Sequence, residues 1–80
     1  MTTVTVLYFA SLRDAAGRSS EMVDTGAGDL RALYDELQLR HGFGLASDRL
    51  RVAVDGAFAK WEDAVGACEE IAFIPPVSGG

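Results

Sequence analysis

The chain has 80 residues, of which 49% are hydrophobic and 24% are charged. A chain of this length makes at most one compact domain, and its composition is typical of a globular rather than a disordered protein. The formal net charge of −5 disfavours binding to nucleic acid or to an anionic membrane, so a neutral or basic protein partner is favoured.

Cysteine content and hydropathy indicate the compartment. A single cysteine, Cys68, excludes an internal disulfide, and no segment has the pattern of a signal peptide or a membrane span. We therefore expect a cytoplasmic protein.

The first quarter of the chain predicts two paired strands. Residues 3–10 are rich in β-branched and aromatic side chains and lack Gly and Pro, so they predict a strand. Alternation places Tyr8 on one face, which a helix covers, and Phe9 on the other. Residues 11–19 are polar and predict a loop, and residues 20–25 predict the second strand.

An amphipathic helix is predicted from about residue 29 to residue 41. Four apolar side chains recur at i, i+3, i+4 and i+7, namely Leu30, Leu33, Tyr34 and Leu37. Asp29 is a favourable N-cap and Gly42 a favourable C-terminal stop.

A tight hairpin is predicted after the loop of residues 43–49. The strands at 50–54 and 57–61 flank Asp55-Gly56, a dipeptide that favours a type I′ turn because both central residues need positive φ.

Residues 70–74 predict a last strand, which Pro75-Pro76 ends because proline cannot donate to a sheet ladder. On this strand Ile71 and Phe73 are assigned to the helix side, so Ile74 falls on the opposite face.

The order of these elements predicts an α+β fold in which one main helix crosses a mixed sheet of about five strands. A β-grasp, or ubiquitin-like, roll has this order. We expect one domain over residues 1–80, with an extended tail from about residue 75 to residue 80.

The tail is the predicted chemical site. Gly79 and Gly80 carry no side chain, so the backbone could enter a narrow channel of a partner together with Val77 and Ser78. Pro75 and Pro76 would stiffen its base. A carboxylate needs activation, most simply as an adenylate, and sulfur could then displace the adenylate to give a nucleophilic thiocarboxylate. The alternative is a Gly-Gly end that arose by chance and is merely frayed.

The ending FIPPVSGG, residues 73–80, resembles the terminal signature of the molybdopterin synthase small subunit, the MoaD branch of the MoaD/ThiS sulfur carriers. The segment VLYFASLRDAAG, residues 6–17, is similar to the family's first strand and following loop. The resemblance implies that Gly80 is adenylated, converted to a thiocarboxylate, and used to supply the dithiolene sulfurs of molybdopterin.

The same resemblance implies three partners: an adenylating and sulfurating enzyme, a sulfur donor system, and the large synthase subunit that contains the catalytic side chains. It implies a non-catalytic subunit that binds no cofactor or metal itself, since ATP and magnesium belong to the activating enzyme.

The chain departs from the family at Ala67-Cys68-Glu69-Glu70, where the family's final turn often reads Asp-Gly-Asp-Glu. Because cysteine tolerates positive φ poorly, we expect the turn to shift towards Gly66, which leaves the start of the last strand open.

A partner-binding surface is predicted near the base of the tail. Phe9, Phe58 and Ile74 should form an apolar patch on the sheet face opposite the helix, with Arg13 as a polar contact at its rim. The alternative is that the three apolar residues complete the core.

Two other residues could be mistaken for functional sites. Cys68 lacks neighbours that would activate a thiol, and His41 lacks other metal ligands at suitable spacing.

Three other functions share this fold: a sulfur carrier for thiamin or another pathway, a ubiquitin-like protein modifier, and a non-catalytic binding module.

Overall fold

A computed structural model describes residues 1–76 of the chain. Its elements in chain order are β1 (Thr2–Tyr8), α1 (Ala10–Ala16), β2 (Ser20–Thr25), α2 (Leu30–His41), a 3-10 turn (Ser47–Arg49), β3 (Arg51–Val54), β4 (Ala57–Ala59) and β5 (Glu70–Ile74). The strands form one mixed sheet in the order β2-β1-β5-β3-β4. β1 and β5 are parallel, and the other neighbouring strands are antiparallel. This is the predicted β-grasp roll.

The predicted amphipathic helix is confirmed as α2. The Asp29 carboxylate accepts a hydrogen bond from the Ala32 N–H at 2.8 Å, which satisfies a donor of the first helical turn. Gly42 ends the helix with φ 72°, a left-handed conformation that glycine adopts without a steric cost. All four apolar residues of the predicted stripe have 0% exposure: Leu30, Leu33, Tyr34 and Leu37.

The predicted tight hairpin is also confirmed, although its second strand is shorter than expected. Asp55 has φ 50° and Gly56 has φ 87°, as a type I′ turn requires. β4 ends at Ala59 because Lys60 enters another turn. There the Lys60 N–H donates to the Asp63 carboxylate at 3.1 Å, and the Asp63 N–H donates to the Lys60 carbonyl at 3.0 Å.

The prediction of a loop over residues 11–19 was wrong, because most of this segment forms α1. β1 ends at Tyr8, two residues earlier than predicted, and Ala10 turns the chain with φ 51°. Gly17 ends α1 with φ 75°, and its N–H donates to the Arg13 carbonyl at 2.9 Å. Leu12 is the buried residue of α1, and together with the partly buried Ala16 it packs the short helix against the core.

The expectation for the final turn was also wrong in one respect. Cys68 itself adopts positive φ, 63°, between Gly66 and β5. The Cys68 N–H donates to the Thr3 carbonyl at 2.9 Å, and the Glu69 carbonyl accepts from the Thr5 N–H at 3.0 Å. These bonds hold the turn against β1, so β5 begins at Glu70 as predicted.

The core lies between α2 and one face of the sheet. Alternation along β1 and β5 sends Val6, Tyr8, Ile71 and Phe73 to this face, where each is at most 1% exposed. We call the opposite side, which carries Leu7 and Ala72, the open face of the sheet. Within residues 1–76 no helix is long and apolar enough to cross a membrane.

Candidate functional site

The base of the tail lies at the end of a central strand. β5 is flanked by β1 and β3, and its last residue, Ile74, is paired with Arg51. Pro75 is half-buried and Pro76 is exposed. The remaining predicted tail residues, Val77, Ser78, Gly79 and Gly80, lie outside the described residues.

The structure brings together the three residues of the predicted patch. Phe9, Phe58 and Ile74 line one depression of about 250 Å³ on the open face, so they do not complete the core beneath α2. Phe9 is 44% exposed and Phe58 is 71% exposed. We call this depression the apolar patch.

The sheet register explains the shape of the apolar patch. Ala53 is paired with Phe58 on one side and with Ala72 on the other, and Ala72 is paired with Leu7 of β1. Two alanines therefore form the floor, and larger side chains from neighbouring strands form the walls. Such a hollow could accept an apolar side chain of a partner. Partner binding here stays a prediction.

Arg13 does not line the apolar patch. It lies on α1 rather than in a loop, and its side chain is exposed. Its backbone N–H is 3.4 Å from the Phe9 carbonyl oxygen, so it lies one helical turn beyond that aromatic residue. Its role at the rim of an interface stays a prediction.

A second depression lies beside the base of the tail, and we call it the tail groove. It has a volume of about 560 Å³. Its lining comes from the 3-10 turn, β3, β4 and the tail base: Asp48, Arg49, Leu50, Arg51, Val52, Phe58, Ala59, Trp61, Ile74, Pro75 and Pro76. Because Phe58 and Ile74 also line the apolar patch, the two depressions form a continuous surface.

Sequence reasoning missed the arginines of the tail groove. Arg51 shares the parity of Ala53 in β3, which places it on the open face beside Ile74. Its guanidinium carbon lies 5.8 Å from the centroid of the Phe58 ring, within cation–π range. Strand alternation was the signal that could have indicated this position.

A polar cluster at the far end of α2 was not predicted either. The Tyr8 hydroxyl donates to the Glu21 carboxylate, and His41 Nε2 lies 2.7 Å from the same carboxylate oxygen. Arg18 lies 3.7 Å from the second oxygen. His41 therefore has a carboxylate partner on β2, in addition to its place at the helix end.

The cluster changes the acidity of two of its members. Burial raises the pKa of Glu21. Hydrogen bonds from Tyr8 and His41, together with the charges of His41 and Arg18, outweigh burial and hold this pKa below its usual range. Burial and the Glu21 hydrogen bond raise the pKa of the Tyr8 phenol. Both shifts favour a Glu21 carboxylate that accepts from a neutral phenol.

The five-stranded mixed sheet covered by α2 defines the class of proteins by fold, namely β-grasp domains, and the sequence adds Gly79-Gly80 after the last strand. The sequence profile of the ThiS family matches residues 6–80. The chain is 35% identical, over an alignment 83 positions long, to the molybdopterin synthase sulfur carrier subunit of Mycobacterium tuberculosis, and the alignment covers 100% of both chains.

Solved structures show the same relationship. Small archaeal modifier protein 1 from Haloferax volcanii matches with a TM-score of 0.81 and 28% identity over 96% of this chain and 100% of that one. A Pyrococcus furiosus protein assigned as subunit 1 of a molybdopterin converting factor matches with a TM-score of 0.79 and 28% identity, over 96% and 100% of the two chains.

The chain belongs to the ThiS family, and within it is similar to the molybdopterin synthase sulfur carriers. This confirms the resemblance inferred from residues 73–80 and 6–17. It supports a sulfur-carrier role.

Proposed function

We propose that the chain is the sulfur-carrying small subunit of a molybdopterin synthase. The observation that carries the proposal is the full-length similarity to a molybdopterin synthase sulfur carrier subunit. The position of the tail base supports the proposal. Pro75 and Pro76 follow the central strand β5 and line the tail groove, and the preceding residue, Ile74, lines both the tail groove and the apolar patch. A partner that holds the tail could therefore also contact the apolar patch.

The chemistry begins at the carboxylate of Gly80. Attack of this carboxylate on the α-phosphorus of ATP forms an acyl adenylate and releases pyrophosphate. A sulfur nucleophile from the donor system then forms a C–S bond while the C–O bond to AMP breaks. When the nucleophile is the terminal sulfur of a donor persulfide, the first product is an acyl disulfide. A second thiol of the donor system then attacks the donor's sulfur, so the S–S bond to the carrier breaks, a disulfide forms on the donor side and a C-terminal thiocarboxylate is released. The adenylating enzyme supplies the ATP and magnesium sites, so this chain needs no cofactor of its own.

The second half of the cycle takes place on the large subunit. The thiocarboxylate sulfur is a soft nucleophile that forms a C–S bond to carbon of the pterin precursor while a C–O bond at that carbon breaks. Water then cleaves the acyl C–S bond of the resulting thioester, which leaves the sulfur on the pterin and regenerates the Gly80 carboxylate. Two loaded carriers are consumed for each dithiolene. The catalytic side chains belong to the large subunit, and this chain contributes the sulfur and its tether. We assign the cycle to the cytoplasm because activation consumes ATP.

The proposal is tested by intact-mass measurement. The purified chain is incubated with ATP, magnesium, a sulfur source and cell extract, and an otherwise identical reaction lacks ATP. Replacement of one oxygen by sulfur adds about 16 Da. We expect this gain only with ATP. An unchanged mass in an extract that loads a known carrier would contradict the proposal.

A protein modifier is the second candidate, because the chain is similar to small archaeal modifier protein 1. A modifier would form isopeptide bonds between Gly80 and lysines of target proteins. Epitope-tagged chain recovered from cells under denaturing conditions separates the two functions. A carrier gives the free and thiocarboxylated chain, whereas a modifier gives a ladder of larger conjugates.

A further inference from the structure

The tail groove has a cationic side. Arg49 ends the 3-10 turn and Arg51 begins β3, and both line the groove with their side chains exposed. One carboxylate, Asp48, also lines it. In a chain with a formal net charge of −5, this is a local reversal of the overall charge.

The arginines of the groove differ from three others in their ion pairing. Arg18, Arg31 and Arg40 each lie within 3.8 Å of a glutamate carboxylate oxygen. Within residues 1–76, Arg49 and Arg51 form no such pair with a carboxylate. Their charges therefore have no carboxylate of the described fold to neutralise them.

Arg51 is also held in place. Its guanidinium lies over the Phe58 ring, and its backbone is fixed by pairing with Ile74. A guanidinium that is already ordered loses less conformational freedom when it binds an anion. Its planar donors match the two oxygens of a carboxylate.

We propose that the tail groove binds an acidic peptide segment of the protein that receives the tail, with its carboxylates held by Arg49 and Arg51. The inference rests on the proposed function, because it requires a partner protein that receives the tail. Charge complementarity favours carboxylates, and the apolar lining, which includes Phe58, Ile74 and Pro75, favours a peptide with some apolar side chains over a bare anion. A nucleic acid is disfavoured because the whole-molecule charge repels an extended polyanion.

A titration with a short acidic peptide tests the groove without any need for activation. The ¹⁵N-labelled full chain is titrated with an acetylated Glu-Leu-Glu-Leu amide, which has both carboxylates and apolar side chains. The arginine Nε–Hε and backbone amide resonances are followed. We expect shifts at Arg49, Arg51 and Phe58. Arg51→Glu should abolish them, and Arg40→Glu, which makes the same charge change on α2, should preserve them.

Inorganic pyrophosphate is titrated in parallel at the same ionic strength. Equal shifts with pyrophosphate and with the peptide would reduce the groove to a general anion site and overturn the proposal. Peptide-induced shifts that persist in Arg51→Glu, or that centre on residues outside the groove, would overturn it as well.

Calorimetry then measures the affinity for the large synthase subunit and for the adenylating enzyme. We expect Arg49→Glu and Arg51→Glu to weaken binding of at least one of them more than tenfold, and Arg40→Glu to weaken it less than twofold. Equal effects of the groove and control variants on both partners would overturn the inference. Absence of the ATP-dependent mass gain would instead refute the proposed function, so the two failures are distinguishable.

Discussion

Glu21 links β2, β1 and the end of α2 through one carboxylate, which is 9% exposed and contacts both Tyr8 and His41. Such a group stabilises the fold through hydrogen bonds that its charged form accepts. Loss of the negative charge on Glu21 would leave the Tyr8 hydroxyl and His41 with a weaker hydrogen-bond acceptor.

We predict that Glu21→Gln lowers the free energy of unfolding at pH 7 by about 1 kcal/mol. Because the pKa of Glu21 is lowered in the folded protein, its contribution is fully present above the unfolded pKa, roughly 4.3, and is lost as the pH falls through the folded value. Urea denaturation at several pH values checks this.

The exposed carboxylate of Glu62 is the control for this substitution. Glu62→Gln should change stability little, since that side chain is 76% exposed and is paired only with Arg31 at 3.8 Å. A stability difference between the wild type and Glu21→Gln that stayed constant from pH 7 down to pH 3 would contradict the account of this cluster.

Cys68 is a second residue whose local conformation has a measurable consequence. Its φ of 63° crowds the Cβ against the backbone, which asparagine tolerates better. We predict that Cys68→Asn raises the free energy of unfolding by about 0.5 kcal/mol and that Cys68→Val lowers it by about 1 kcal/mol.

Thermal and urea melts under reducing conditions measure both changes, with Cys68→Ala as the neutral reference. The Thr3 carbonyl that fixes this turn is unaffected in all three variants. Equal stability of the asparagine and valine variants would show that the left-handed conformation carries no cost here.

At the scale of elements, the open face of the sheet contains the apolar patch where β1, β5, β3 and β4 meet. Phe58 is 71% exposed, so its truncation removes little from the core. We predict that Phe58→Ala weakens binding to the adenylating enzyme or the large subunit by about 1 kcal/mol or more, with a small change in the thermal midpoint.

Met22→Ala is the matched control, since Met22 is 75% exposed on the edge strand β2, away from the apolar patch. It should leave both affinity and stability nearly unchanged. Calorimetric titration and melts on the same preparations decide the matter. Unchanged affinity of Phe58→Ala for both partners would remove this residue from the interface.

The tail is the other functional element, and its prediction concerns side-chain size. Gly79→Val should block activation of Gly80, because a branched side chain would obstruct a narrow channel, and we expect it to leave the melting temperature unchanged. Gly26→Val, in the loop before α2, is a control, because a Cβ at Gly26 would contact nothing within 4 Å. Pyrophosphate release measures the rate of adenylation. A wild-type rate for Gly79→Val would exclude a narrow channel.

The sequence predicted those elements whose apolar periodicity and turn residues match the structure that they form in the folded protein. The helical stripe that ends at Leu37, the Asp55-Gly56 turn and β5 are of this kind. α1 was missed because it buries only Leu12 and begins without a side-chain cap, so its helical signal was weak. Good helix formers such as Ala15 and Ala16, followed by Gly17, were the available signal.

The candidate site was predictable only in part for a similar reason. Strand alternation placed Phe9 and Ile74 on one face, because parity is a local property. Phe58 was predicted to join them as the bulky residue just past the Asp55-Gly56 turn, and the three residues do line one depression. The tail groove and the Glu21 cluster depend on residues that are distant in sequence. His41 lies 20 positions from Glu21, and only the tertiary fold brings them together.

At the scale of the whole molecule, the proposed function requires a carrier whose reactive group is the carboxyl group of Gly80. The last described strand, β5, ends at Ile74 beside a surface that partners could recognise. The chemical consequence is that everything depends on the terminal carboxyl group of Gly80.

The most direct test is tandem mass spectrometry of the C-terminal peptide after incubation with ATP, magnesium, a sulfur source and cell extract that contains the adenylating enzyme. The wild-type chain should gain about 16 Da at Gly80. A chain with one alanine appended after Gly80, verified as untrimmed, should gain nothing while keeping the wild-type melting temperature. Full sulfur loading of the extended chain would contradict the account. So would an ATP-dependent gain of about 32 Da at Cys68, the addition of one sulfur to its thiol, with no gain at Gly80.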